Sequence, residues 1–280
     1  MKFAMTTDTH YGFTNRTHKI HEKFLRRLSA ACEKEKVDAF IHCGDWVITD
    51  QHQLKRTWKM FRDALGDMPI FTVLGNHDHW NKEIFSVALR KRIYAKYPLL
   101  DNYMAIENQW REWAGEYDIF LMEDSHWSND EVAIFGFNGW YDEIPVNTND
   151  SNFMPKRHHE VPIDTYLRHK AFKHFDQCLQ DSAEIKIKKQ GVKTLLITHH
   201  ASYTFQQHYR FMCANQGWMD YIAEEFDIYC VGHSHQPEDF IHTACNGNIE
   251  HSVRCINAGT LHRYEGDHGY DSPRFVTFEI

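Results

Sequence analysis

The sequence predicts an α/β fold of stacked sheet and helix layers. Short apolar runs of strand length recur along the chain, and segments with one-sided helical periodicity fall between them. The runs show no strict polar–apolar alternation, which suits strands covered on both faces. Five of them end in Asp, Asn or His.

The first run is Lys2–Thr7. A helix follows from about Thr17 to Lys36, with Ile20, Phe24, Leu28 and Cys32 recurring every four residues on one face. Val37–Cys43 is the second strand. Asp50 can cap the next helix, in which Leu54, Trp58, Phe61 and Leu65 share a side, and Gly66 and Pro69 end it. Ile70–Leu74 is the third strand, and Phe85, Leu89 and Ile93 outline another helix. Trp110, Trp113 and Trp127 fall in a stretch that reads as irregular, so 98–131 is expected to be a loop insertion. Val132–Phe137 is a strand. A second loop insertion is expected over 141–165, rich in Asn, Asp, His and Pro. Leu167, Ala171, Phe175 and Leu179 place a helix over about Thr165–Ile187. Lys193–Thr198 and Asp227–Val231 are strands, and Glu250–Ile256 and Arg274–Ile280 close the fold. These elements form one domain over 1–280.

Composition excludes several classes. A net charge of -8 gives no general attraction to a polyanion, so nucleic acid is a disfavoured partner. Seven cysteines without a Cys-x-x-Cys pair argue against a disulfide framework and against a thiolate zinc site. No run approaches the roughly 20 apolar residues needed to span a bilayer, and no signal peptide is evident, so a cytoplasmic protein is expected. The 21 histidines hint at metal chemistry.

The strand ends carry that hint further. Asp8-Thr9-His10 follows the first run, Gly44-Asp45 the second and Gly75-Asn76-His77-Asp78 the third. His199-His200 and Gly232-His233-Ser234-His235 follow two later ones. In open α/β sheets the carboxyl edge of the strands is where ligands bind. Carboxylate, carboxamide and imidazole together suit borderline metals such as manganese, iron or zinc. In Asp8-x-His10 and His233-x-His235 the paired side chains sit two positions apart, so both can reach one centre from an extended segment. Taken singly, Asp-x-His occurs in ordinary loops and Gly-Asp is a common turn. Their joint occurrence at strand ends selects a site, and so many ligands exceed the needs of one ion. Two metals sharing a bridge is the economical arrangement.

These motifs closely resemble those of the calcineurin-like metallophosphoesterase superfamily, across about Asp8 to His235. The resemblance implies a four-layer α/β/β/α sandwich of two mixed sheets, with two transition-metal ions (manganese, iron or zinc) at the strand ends. It implies that Asp8, His10 and His235 hold one metal, that Asn76, His199 and His233 hold the other, and that Asp45 bridges them. Members usually ligate through the first histidine of a His-His pair, hence His199 rather than His200. His77 resembles the residue that donates a proton to the leaving group, and Asp78 the one that orients it. Ile48 stands where purple acid phosphatases place a tyrosine ligand, and Trp46-Val47-Ile48 departs from the protein serine/threonine phosphatases. Gly136–Asp142 is similar to a segment of bacterial and phage members.

The implied activity is hydrolysis of a phosphate mono- or diester by a metal-bridging hydroxide, on a small-molecule or protein-borne substrate. A nuclease of the same superfamily is the alternative, and a non-catalytic protein-binding scaffold a more remote one. His42, His79 and His200 flank the ligands, and packing accounts for them as well as any function. His158, His159, His208 and His262 lie in expected loops.

Overall fold

The computed structural model describes residues 1–11, 17–47, 51–79, 98–140, 162–203, 214–259 and 274–280. Two sheets stack face to face. The first has the order β11-β1-β2-β3-β4, formed by Val276–Glu279, Lys2–Thr6, Ala39–His42, Ile70–Thr72 and Ile119–Leu121. The second has the order β5-β6-β7-β8-β10-β9, formed by Trp127–Ser128, Val132–Phe137, Lys193–Thr198, Ile228–Val231, Ile249–Ala258 and Pro237–Asn246. The centre of each sheet is parallel. β1, β2, β3 and β4 pair in parallel in the first, and β6, β7, β8 and β10 in the second. β11, β5 and β9 add antiparallel pairs at the margins, so both sheets are mixed, as expected.

Alternate side chains of the central strands enter two different cores, because successive residues of a strand point to opposite faces. Phe3, Met5, Ala39, Ile41 and Phe71 from the first sheet meet Ile134, Leu195, Ile197, Ile228 and Cys230 from the second. Phe40 and Ile70, with Leu196 and Tyr229, instead face the helices. Both faces of these strands are dry, which is why their sequences read as unbroken apolar runs.

Helices cover the outer faces. α1 (Thr17–Glu35) and α2 (Gln51–Leu65) lie on the first sheet, where the Phe24 and Phe40 rings sit 6.2 and 5.6 Å from Phe61. One turn, α3 (Asn76–His79), follows β3. α4 (Pro98–Glu116) precedes β4, and α5 (Pro162–Lys188) and α6 (Trp218–Glu225) lie on the second sheet. There Trp218 stacks on Phe175 at 4.3 Å.

α4 corrects the irregular reading of 98–131. Trp110, Trp113 and Ala114 are buried at helical spacing. The stripe was masked by Glu107, which is also buried, because Lys170 of α5 lies 3.0 Å from its carboxylate and Tyr166 donates to it at 3.0 Å. Strand β9 and helix α6 were not anticipated. Residues 141–161 lie outside the described residues, as do Phe85, Leu89 and Ile93 and the loop histidines 158, 159, 208 and 262. Six cysteines are described and all are free thiols. Among the described residues no helix is long and apolar enough to cross a membrane.

Candidate metal centre

The carboxyl ends of β1, β2, β3, β7 and β8 meet at one edge of the stacked sheets, and all seven expected ligands converge there. Backbone hydrogen bonds zip the loops beyond the strands together. Asp8 N–H donates to Gly44 O (2.9 Å), His10 N–H to Asp45 O (3.0 Å), and Tyr11 N–H to Trp46 O (2.8 Å). Gly232 N–H donates to His199 O at 3.0 Å, joining the two loops of the second sheet. His233 N–H donates to Asp8 Oδ2 at 3.0 Å and links the sheets.

The ligand backbone is unusual. Asp8, His10, Asp45, His233 and His235 all have positive φ, between 43° and 62°. Left-handed conformations of non-glycine residues are costly and cluster at functional sites. Glycine supplies close approach at Gly75, where a Cβ would lie 2.1 Å from Asp45 Oδ1.

Two groups of side chains share one carboxylate. Asp8, His10 and His235 form the first: Asp8 Oδ1 lies 3.1 Å from His235 Nε2, and His10 Nε2 lies 3.3 Å from His235 Nε2. In the second, His199 Nε2 lies 2.9 Å from Asn76 Oδ1, and the His199 and His233 ring centres are 5.1 Å apart. Asp45 stands between them. Its Oδ2 is 3.8 Å from His10 Nε2 and 3.3 Å from His199 Nε2, while its Oδ1 accepts the His77 backbone N–H at 2.9 Å.

The protonation pattern is that of a site short of positive charge. Burial opposes ionisation of both carboxylates, yet His235 and His199 hold Asp8 below the usual carboxylate range. His199, with His77 and His10, holds Asp45 well below it. Burial would strip the proton from His199, but Asp45 and Asp8 push it up to about 9. Burial and the His199 charge bring His233 down to about 3. Burial and the neighbouring His77 keep His10 neutral. The two carboxylates thus draw positive charge onto the imidazoles, raising both His199 and His235, where a cation could sit instead, and the donor set of carboxylate, carboxamide and imidazole fits such a cation.

His77 projects at the rim, half-buried, its ring 4.8 Å from that of His10. Asp78 departs from its expected role. Its carboxylate accepts backbone N–H groups of Gly75 (2.9 Å), Val47 (3.1 Å) and Trp46 (3.3 Å), and no hydrogen bond joins it to the His77 ring. The chain turns at α3 so that the carboxyl group points back under the turn and pins the Gly75–His77 backbone. Burial and the nearby Asp45 charge push Asp78 up to about 8.

Sequence reasoning missed the supports behind the ligands. Buried Glu123 accepts Leu74 N–H at 2.9 Å, bracing the turn that carries Asn76 and His77. Asn138 donates to His79 Nε2 at 3.3 Å. Asn257 donates to Gly232 O (3.1 Å) and Ser234 Oγ (2.8 Å), fixing the His233–His235 turn. The Gly136–Asp142 similarity pointed at Asn138; nothing local in sequence marks Glu123 or Asn257. His42 is held by packing: Gly44 N–H donates to its Nδ1, and the ring stacks on Trp46 at 3.5 Å.

A two-sheet α/β sandwich with such a cluster at its strand ends is the architecture of a metal-dependent phosphoesterase. The chain belongs to the calcineurin-like phosphoesterase family, whose model matches residues 1–237. Among solved structures it resembles a dimetal phosphatase from Danio rerio, at 13% identity and a TM-score of 0.50, over 99% of this chain and 91% of that one. It resembles equally GAP50, the anchor in the inner membrane complex of Plasmodium, at 13% identity and a TM-score of 0.50, over 99% and 80%. At these identities the likeness is one of fold. No curated protein sequence matches the chain.

Proposed function

We propose that this protein hydrolyses a phosphate mono- or diester with two cations held by the seven converging side chains. Asp8, His10 and His235 hold one, Asn76, His199 and His233 the other, and Asp45 is shared. The observation that carries this reading is the single oxygen Asp45 Oδ2, which faces His10 of one group and His199 of the other. When bound, the ions supply Lewis-acid charge for the phosphoryl oxygens and an activated water as nucleophile. The chain supplies the rest. His77, at the rim and tied to Asp45 through its backbone N–H, protonates the leaving oxygen. Asp78 positions His77 by fixing its turn, not by gripping its ring.

Likeness to an anchor protein as well as to a phosphatase means that fold alone does not select catalysis; the convergence of the ligands favours it. The charge of -8 argues against a nucleic-acid substrate. The test pairs metal analysis of the purified protein with rates on nitrophenyl phosphate, bis-nitrophenyl phosphate and single-stranded DNA. Faster turnover of either nitrophenyl ester than of DNA is expected, and the better one assigns monoester or diester. Preferred DNA cleavage would make the protein a nuclease. Bound metal without any turnover would leave a scaffold, and failure to retain any transition metal would end the proposal.

A further inference from the structure

Beyond β6 the chain continues as Asn138-Gly139-Trp140 and turns into the metal centre. The Asn138 carbonyl accepts three N–H groups: His199 N (3.2 Å), His200 N (3.1 Å) and His200 Nδ1 (3.2 Å). A carbonyl can only accept, so His200 Nδ1 carries the hydrogen, and in the neutral ring Nε2 then carries the lone pair. His199 is built the same way, its Nδ1 donating to Cys43 O at 2.7 Å. Anchoring one ring nitrogen on a backbone carbonyl is how metal-ligating histidines fix their tautomer and aim the other nitrogen.

The aim converges. His200 is wholly buried, and its ring centre lies 4.8 Å from that of His199 and 4.5 Å from that of His233. One ring nitrogen from each of the three, Nδ1 or Nε2, lies within 4.8 Å of the others. Trp140 packs on the flank of the His200 ring at 5.7 Å and restricts its rotation.

We propose that His200 is a further ligand of the more buried cation, beside Asn76, His199, His233 and Asp45. This rests on the two-cation reading. It makes the two positions chemically unequal: three imidazoles and two side-chain oxygens at the buried one, against two imidazoles (His10, His235) and two carboxylates (Asp8, Asp45) at the other. Imidazole-rich positions suit zinc, iron or nickel, whereas carboxylate-rich ones suit manganese. The buried position is therefore selective for the former.

The test is a count of imidazoles on the cobalt(II)-loaded protein. Hyperfine-shifted ring N–H signals in its proton spectrum number four if only His10, His199, His233 and His235 ligate, and five if His200 joins them. Five are expected. His200→Gln should remove one signal and weaken one of the two cobalt ions by at least about 100-fold, beyond the roughly 10–100-fold typical of losing an outer partner. Four signals in the wild type, with both ions held unchanged in His200→Gln, would overturn the inference and leave the two-cation reading standing. No cobalt uptake by the wild type would remove both. If the variant does not fold, the wild-type count decides alone.

Discussion

Replacing Asp45 with asparagine keeps the shape of the side chain and exchanges one oxygen for an NH2 group. The structure dictates which one. Oδ1 accepts the backbone N–H of His77 at 2.9 Å, and that N–H needs an acceptor. Turning the amide so that its NH2 faces this donor would leave a buried N–H unmatched, a cost of about 1–3 kcal/mol. The oxygen therefore stays on His77 with a preference of roughly 5- to 150-fold. The NH2 group falls where Oδ2 now faces His10 and His199, at 3.8 and 3.3 Å, and an amide nitrogen there is a donor, not a ligand. On the two-cation proposal both ions lose a charged partner at once, so both should be held at least about 100-fold more weakly, above the effect of an outer-partner change. The assay is metal content after gel filtration, compared with wild type, with circular dichroism to confirm the fold. Loss of both ions is expected. Retention of two ions per chain would refute the shared-oxygen argument, and loss of one would assign Asp45 to a single cation.

His77→Ala should lower kcat by roughly 10²–10⁴-fold with metal content intact, and less for a leaving group that needs no proton; equal loss on good and poor leaving groups would remove the acid role. Gly75→Ala sets a methyl group 2.1 Å from Asp45 Oδ1, so it should displace that carboxylate, cost about 1–3 kcal/mol in a thermal melt and reduce metal content. Wild-type behaviour would mean that the turn yields easily. At Asp227, burial opposes ionisation, but Lys193 at 2.7 Å and Thr194 N–H at 2.8 Å hold the carboxyl below its usual range. A depressed folded value means stability present above the unfolded value of about 3.9 and lost as pH falls through the folded one. Asp227→Asn should thus cost about 1–2 kcal/mol near pH 7 and progressively less below pH 4, read from denaturant midpoints; a pH-independent difference would contradict it. Lys36 ends α1 with φ 55°, and Val37 N–H returns to Cys32 O at 2.9 Å, a Schellman cap. Lys36→Gly should raise stability by up to about 1 kcal/mol, and a lower denaturation midpoint would show that the lysine stem compensates for the strain.

The central strands were legible because both of their faces are buried, which leaves long apolar runs. The convergence of the Asp, Asn and His side chains was legible because each follows such a run within a few residues. Strand β9 was not, since most of its side chains are exposed or half-exposed and only Ala244 is buried, so its apolar pairs Phe240-Ile241 and Ala244-Cys245 stay isolated among polar residues and form no apolar run. Helix α4 was hidden by a buried glutamate, and a buried charge looks like a surface one until its lysine, 63 residues away in sequence, is seen beside it. The same limit applies to Asp78. Its motif position suggested a partner for the His77 ring, whereas two of the three backbone amides it receives, those of Trp46 and Val47, come from the loop after another strand.

The left-handed backbone of five of the converging residues has a consequence for how the proposed site would meet its ions. The bends are created when the sheets stack and the strand-end loops zip together, so the free energy of folding bears their cost. Cations arriving later encounter turns already shaped. Stripping them should leave a compact, native-like chain that reloads quickly, in contrast to small zinc domains whose fold collapses with the metal.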